Sequence, residues 1–108
     1  MVTMLVAISI SPSGPPRDGT AAADGGVSDA VAAALQVVRD SGLPHELNAM
    51  FTNIEGEWDE VMAVVKAATD AVAPYGSRVS LVLKADIRPG YSGEIDAKIE
   101  RLGQALGE

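Results

Sequence analysis

The sequence contains no cysteine and a single histidine, His45. Without sulfur there is no disulfide, no thiolate nucleophile, no iron–sulfur cluster and no cysteine-based zinc site. One imidazole leaves little room for a Ser-His-Asp triad, and no histidine stands at metal-ligand spacing from Glu57 and Glu60. Aromatic residues are scarce too: one Trp, two Tyr and one Phe. An RNA-recognition sheet needs more exposed rings than that. Basic side chains number 8 against 15 acidic ones, a net charge of −7, which excludes a generic nucleic-acid binder. There is no long hydrophobic run. Residues 2–10 are apolar but include Thr3 and Ser9, follow no basic segment and are far too short to span a bilayer. The expectation is therefore no membrane association and a cytoplasmic location. Pro12-Ser13-Gly14 is not followed by the Gly-Lys-Ser/Thr of a phosphate loop, and the acidic run near Glu57 lacks calcium-loop spacing. No metal or cofactor is expected.

What is present suffices for one domain over residues 1–108. The chain is 47% hydrophobic with a mass of 11.1 kDa, enough for an ordinary core. Residues 2–11 alternate, with Val2, Met4, Val6, Ile8 and Ile10 on one face, as a half-buried strand does. Residues 12–26 are rich in Pro, Gly, Ala and Asp and read as a mobile loop. Ser28 is a plausible N-cap for a helix carrying Val31, Leu35 and Val38, which Gly42 stops. Residues 45–48 and 52–55 predict a short hairpin turning at Ala49-Met50. A second helix begins near Glu57 with the stripe Trp58, Val61, Val65, Ala68, Val72. Residues 78–88 form the clearest strand, and Ser92 then caps a last helix bearing Ile95, Ile99, Leu102 and Leu106.

The order β-α-β-β-α-β plus a terminal helix predicts an α+β, ferredoxin-like sandwich with two helices on one sheet face. Met4/Val6/Ile8 and Val79/Leu81/Leu83 should line the covered face. The other face then carries Leu5, Ala7, Ser9, Val82, Lys84, Asp86 and Arg88. That mixture fits either burial against another subunit or an ordinary amphipathic sheet with extended Lys and Arg side chains.

Residues 50–62, Met-Phe-Thr-Asn-Ile-Glu-Gly-Glu-Trp-Asp-Glu-Val-Met, resemble the signature of the small thiamine-binding protein family. Three further segments are similar to that family in the same order. They are Ser9-Ile10-Ser11-Pro12-Ser13-Gly14, the Val27-Ser28 start with the Ser41-Gly42-Leu43 stop, and Arg78-Val79 leading to Lys84-Ala85-Asp86-Ile87-Arg88. The resemblance covers the chain except residues 15–26, which look like an insertion. It implies a ferredoxin-like subunit, homo-oligomers (dimers, commonly tetramers), and binding of thiamine or its hydroxymethylpyrimidine part without catalysis. The sequence departs from the pattern at Ser11, where an aromatic is usual, at Ser13, where a bulky apolar residue is usual, and at Phe51, often glycine. Loss of an aromatic at Ser11 would weaken ligand stacking.

Thiamine presents an aminopyrimidine with a donor–acceptor edge and a cationic thiazolium. Glu55 and Asp86 are candidate acceptors for the amine. Thr52 and Ser9 offer hydroxyls, and Met50, Phe51 or Trp58 offer faces for the rings. Lys84 and Arg88 can pair with the carboxylates or with a phosphorylated ligand. Each has a plainer role: Glu55 opens an acidic helix start, Trp58 heads a core stripe, and Lys84-Asp86-Arg88 form a same-face ion-pair ladder. Two other functions fit the same pattern: an interaction or assembly module with no small ligand, and a small cofactor-free enzyme on a dimeric ferredoxin-like scaffold. The latter lacks a convincing base.

Overall fold

The computed structural model describes residues 3–15, 26–90 and 93–107. Strand β1 (Thr3–Ser13) is followed by helix α1 (Gly26–Asp40), strands β2 (His45–Leu47) and β3 (Thr52–Glu57), helix α2 (Trp58–Val72), a 3₁₀ turn at Ala73–Tyr75, strand β4 (Arg78–Ile87) and helix α3 (Glu94–Ala105). The four strands form an antiparallel sheet in the order β2-β3-β1-β4. This is the ferredoxin-like arrangement expected from the alternation of periods.

Period two in β1 does what it predicts. Met4, Val6, Ile8 and Ile10 are buried, and Ile54 of β3 joins them opposite Val6. Ala30 and Val38 of α1 and Val61, Val65, Ala68 and Val72 of α2 close the other side of this core. Each of the larger aliphatic side chains contributes roughly 1.5–3 kcal/mol by leaving water. Asp59 and Glu60 sit in the first turn of α2, where the helix dipole favours them. Gly42 ends α1 in the left-handed region at φ 74°. The hairpin turns at Ala49-Met50, closed by the Asn48 N–H donating to the Phe51 carbonyl at 3.0 Å.

Several expectations need correction. Trp58 heads the α2 stripe in sequence but is 54% exposed, because the core begins one turn later at Val61. Ser28 lies inside α1, which already starts at Gly26, so it does not cap the helix. Pro12 and Ser13 belong to β1, facing Val79 and Arg78. Pairing of β1 with β3 ends at Ile8, so beyond that point β1 is an edge on the β3 side and tolerates proline. The remaining loop expectation (residues 16–25) and the Ser92 cap lie outside the described residues. The apolar row of β4 is only partly covered, with Leu81 42% exposed, since β4 is an edge strand. The stripe of α3 is not a core stripe either: Ile99, Leu102 and Leu106 are 59%, 61% and 67% exposed. Among the described residues no helix is long and apolar enough to cross a membrane.

Candidate functional site

The early end of the β1–β3 ladder opens a cleft. Where β3 stops at Thr52, β1 continues, and the space beside residues 9–11 is bordered by α1 and by the hairpin tip. The cleft holds about 220 Å³. Its walls are mainly apolar, from Ile8, Val31, Leu35, Leu47, Met50 and Phe51. Polar groups come from the Thr52 hydroxyl, Asn48, and Ser9 and Ser11. Asn48 holds the tip in shape, its Oδ1 accepting from the Met50 and Phe51 N–H groups, each at 2.9 Å. Among the described residues no strand faces the main-chain donors and acceptors of residues 9–11 on the cleft side. A planar heterocycle with its own donor–acceptor edge can lie against such a strand edge as another strand would.

The eight candidate residues divide among separate places. Ser9, Met50 and Thr52 meet at the cleft. Trp58, at the start of α2, does not line it. Lys84 and Asp86 lie on the open face of β4, and Arg88 follows directly after its end. Glu55 is on that open face as well, since Leu5 pairs with Glu55 on one side and Asp86 on the other.

Glu55 is buried, with 5% exposure, and both its oxygens are engaged. Oε2 accepts from the Glu94 N–H at 2.9 Å and Oε1 from the Ile95 N–H at 3.3 Å. These are orphan donors at the start of α3, where Gly93 in the N-cap position has no side chain to offer. Glu55 therefore works as the cap of a helix 39 residues away. One turn on, Lys98 of α3 donates to Asp86 of β4, and Arg101 pairs with the nearly buried Glu94 at 2.7 Å. The two carboxylates expected to face an amine are thus both engaged by α3, which straps the open face from β3 to β4.

The Lys98 ammonium bonded to Asp86 holds the Asp86 carboxyl below its ordinary value of 3.8, with smaller help from Arg88 and Lys84. A depressed folded-state value means the stabilisation is fully present above about pH 3.8 and is lost as pH falls through the lower folded value. Protection of the α3 amides around Lys98, taken relative to an unstructured chain at the same pH, is expected to fall in that acid window. Protection unchanged down to the global acid transition would show that the contact does not hold the helix.

A second cavity, about 470 Å³, lies between the α1–β2 connection, β3 and the start of α3, lined in part by Leu43, Glu46, Glu55 and Asp96. It is the larger of the two. The smaller cleft is the better candidate, because it gathers three expected residues and its polar groups are not already committed to another helix.

Sequence reasoning passed over Asn48, Leu47 and Val31. An Asn three residues before the Phe that closes a tight turn was the available signal for Asn48.

Comparison with known proteins agrees with this architecture. A UPF0045 protein of Mycobacterium bovis is 46% identical over 106 residues, covering 97% of this chain and 96% of its own length. The solved structure of a hypothetical protein from Methanocaldococcus jannaschii superposes with a TM-score of 0.78 at 31% identity, covering 95% of this chain and 98% of that one. A domain of unknown function from Bacillus cereus superposes with a TM-score of 0.74 at 32% identity, covering 90% and 86%. Residues 6–103 match the family model described as thiamine-binding protein. The chain belongs to the thiamine-binding protein family.

Proposed function

We propose that this chain is a non-catalytic, cytoplasmic, homo-oligomeric binder of thiamine or its hydroxymethylpyrimidine part, which it carries, buffers or senses. The observation that carries this reading is the cleft beside residues 9–11, where an open strand edge and the Thr52 hydroxyl meet apolar walls. An aminopyrimidine can exchange hydrogen bonds with that edge while Met50, Phe51 and Leu35 cover its faces. Among the described residues that line the cleft none is acidic or basic, so the neutral pyrimidine belongs inside and a cationic thiazolium belongs at the mouth, toward solvent and the field of a chain with net charge −7.

Native mass spectrometry of the protein as isolated, followed by calorimetry with thiamine, hydroxymethylpyrimidine and their phosphates, tests the reading. A co-purifying mass or micromolar binding is the expected result. No bound mass, no heat and no thermal shift with any of the four would overturn it in favour of an assembly module, the reading that the exposed α3 stripe favours.

Ser11 lines the cleft at the position where the family usually carries an aromatic. Ser11→Tyr is expected to tighten pyrimidine binding about fivefold, the gain of one added ring contact. Calorimetry checks it, and weaker binding would place the ligand elsewhere.

A further inference from the structure

In a cleft that takes an aminopyrimidine, the reading on which this inference rests, Asn48 does more than hold the hairpin tip. The main chain already closes the tip, through the Asn48 N–H and the Phe51 carbonyl at 3.0 Å. The side chain adds two further bonds, Oδ1 accepting from the Met50 and Phe51 N–H groups at 2.9 Å each. These two bonds set the polarity of the amide. Turned over, it would bring its NH2 against two N–H donors and lose both contacts. Nδ2 is therefore the end left over, carrying two hydrogens and, among the described residues, no protein partner.

The other polar side chains of the cleft are the hydroxyls of Ser9, Ser11 and Thr52. A hydroxyl rotates to donate or accept as the ligand requires, so it favours no pattern. Asn48 is different, because its donor cannot become an acceptor without breaking the turn. It is also ordered in advance, so little rotamer freedom is lost when it meets a ligand. Leu47, Met50 and Phe51, its neighbours in the chain, line the same cleft. A flat ligand packed against them shuts water away from Nδ2. A ligand with no acceptor at that place then leaves the donor unsatisfied.

We propose that Asn48 is the specificity-determining residue of the cleft, its Nδ2 donating to the lone pair of an unprotonated ring nitrogen. The ligand class is a neutral aminopyrimidine or a heterocycle with the same edge. A ring of the same shape with C–H or N–H at that position is rejected.

Asn48→Asp separates this role from the turn. Aspartate keeps an oxygen for the Met50 and Phe51 N–H groups, since it forms the same turn, but it replaces the donor with an acceptor. In mildly alkaline buffer hydroxymethylpyrimidine is neutral, so the new carboxylate acts on it through this contact and not through net charge. Calorimetry is expected to show binding of hydroxymethylpyrimidine weakened about tenfold, with the melting temperature held within a few degrees. Unchanged or tighter binding in the folded variant overturns the proposal and leaves the pyrimidine-binding reading standing. An unmodified protein that binds neither hydroxymethylpyrimidine nor thiamine overturns both. If Asn48→Asp does not fold, nitrogen-15 spectra of the unmodified protein decide. The sequence has two asparagines, Asn48 and Asn53, so their side-chain amide signals are readily told apart. Saturation with hydroxymethylpyrimidine is expected to move the Asn48 NH2 signals downfield, as a new hydrogen bond does. Asn48 signals unmoved at saturation overturn the proposal.

Discussion

Replacing Glu55 with alanine is expected to free the start of α3 and to destabilise the protein by about 2–3 kcal/mol. The first N–H groups of a helix have no partners within it, and here the Glu55 carboxylate satisfies two of them. Hydrogen bonds to a charged acceptor contribute about 1.5–3 kcal/mol each, and the cost of holding a carboxylate out of water offsets part of the sum. Denaturant unfolding and amide exchange over residues 94–97 measure the loss. Glu55→Gln keeps one acceptor oxygen but turns an amide N–H toward a helix N–H, so an intermediate loss follows. Unchanged stability together with weakened thiamine binding would return Glu55 to the ligand and remove it from the helix.

Val31→Trp is expected to reduce pyrimidine binding about a hundredfold, close to 2.7 kcal/mol. Val31 lines the cleft from α1 and is 38% exposed, so a large ring placed there fills the cleft without entering the core. The melting temperature should hold within the few degrees typical of a surface substitution. Calorimetry on the folded variant checks the effect. Full binding in that variant would show that the ligand lies outside the cleft, with the larger cavity beside α3 the next place to test by Glu46→Ala.

The layered architecture was legible because each strand and helix needs only its own periodicity. Alternation in residues 4–10 and the spacing of Val61, Val65, Ala68 and Val72 name their buried faces without knowledge of the partner. The limits of that logic show at α3. Its stripe has helical spacing, yet spacing does not say what covers it, and Ile99, Leu102 and Leu106 are left exposed. The capping role of Glu55 was not legible for a related reason. A cap normally sits within a few residues of the helix it serves, whereas this one acts from a distant strand and leaves no local pattern. The cleft was half legible. Met50 and Thr52 stand in the signature run, but the walls from Val31 and Leu35 come from another element, and only the fold brings them together.

The unbroken pairing of β1 with β4 also governs how the molecule is made. Strand β1 takes its longest partner from residues 78–87, far along the chain. An earlier partner, β3, covers only Thr3 to Ile8. Until β4 emerges, residues 9–13 have neither neighbour, and the apolar row beginning at Met4 is incompletely covered. A polypeptide released before Arg78 would expose that row to chaperones and proteases. Closure of β1 therefore waits on β4, because residues 9–13 gain a strand neighbour only when residues 78–82 are in place.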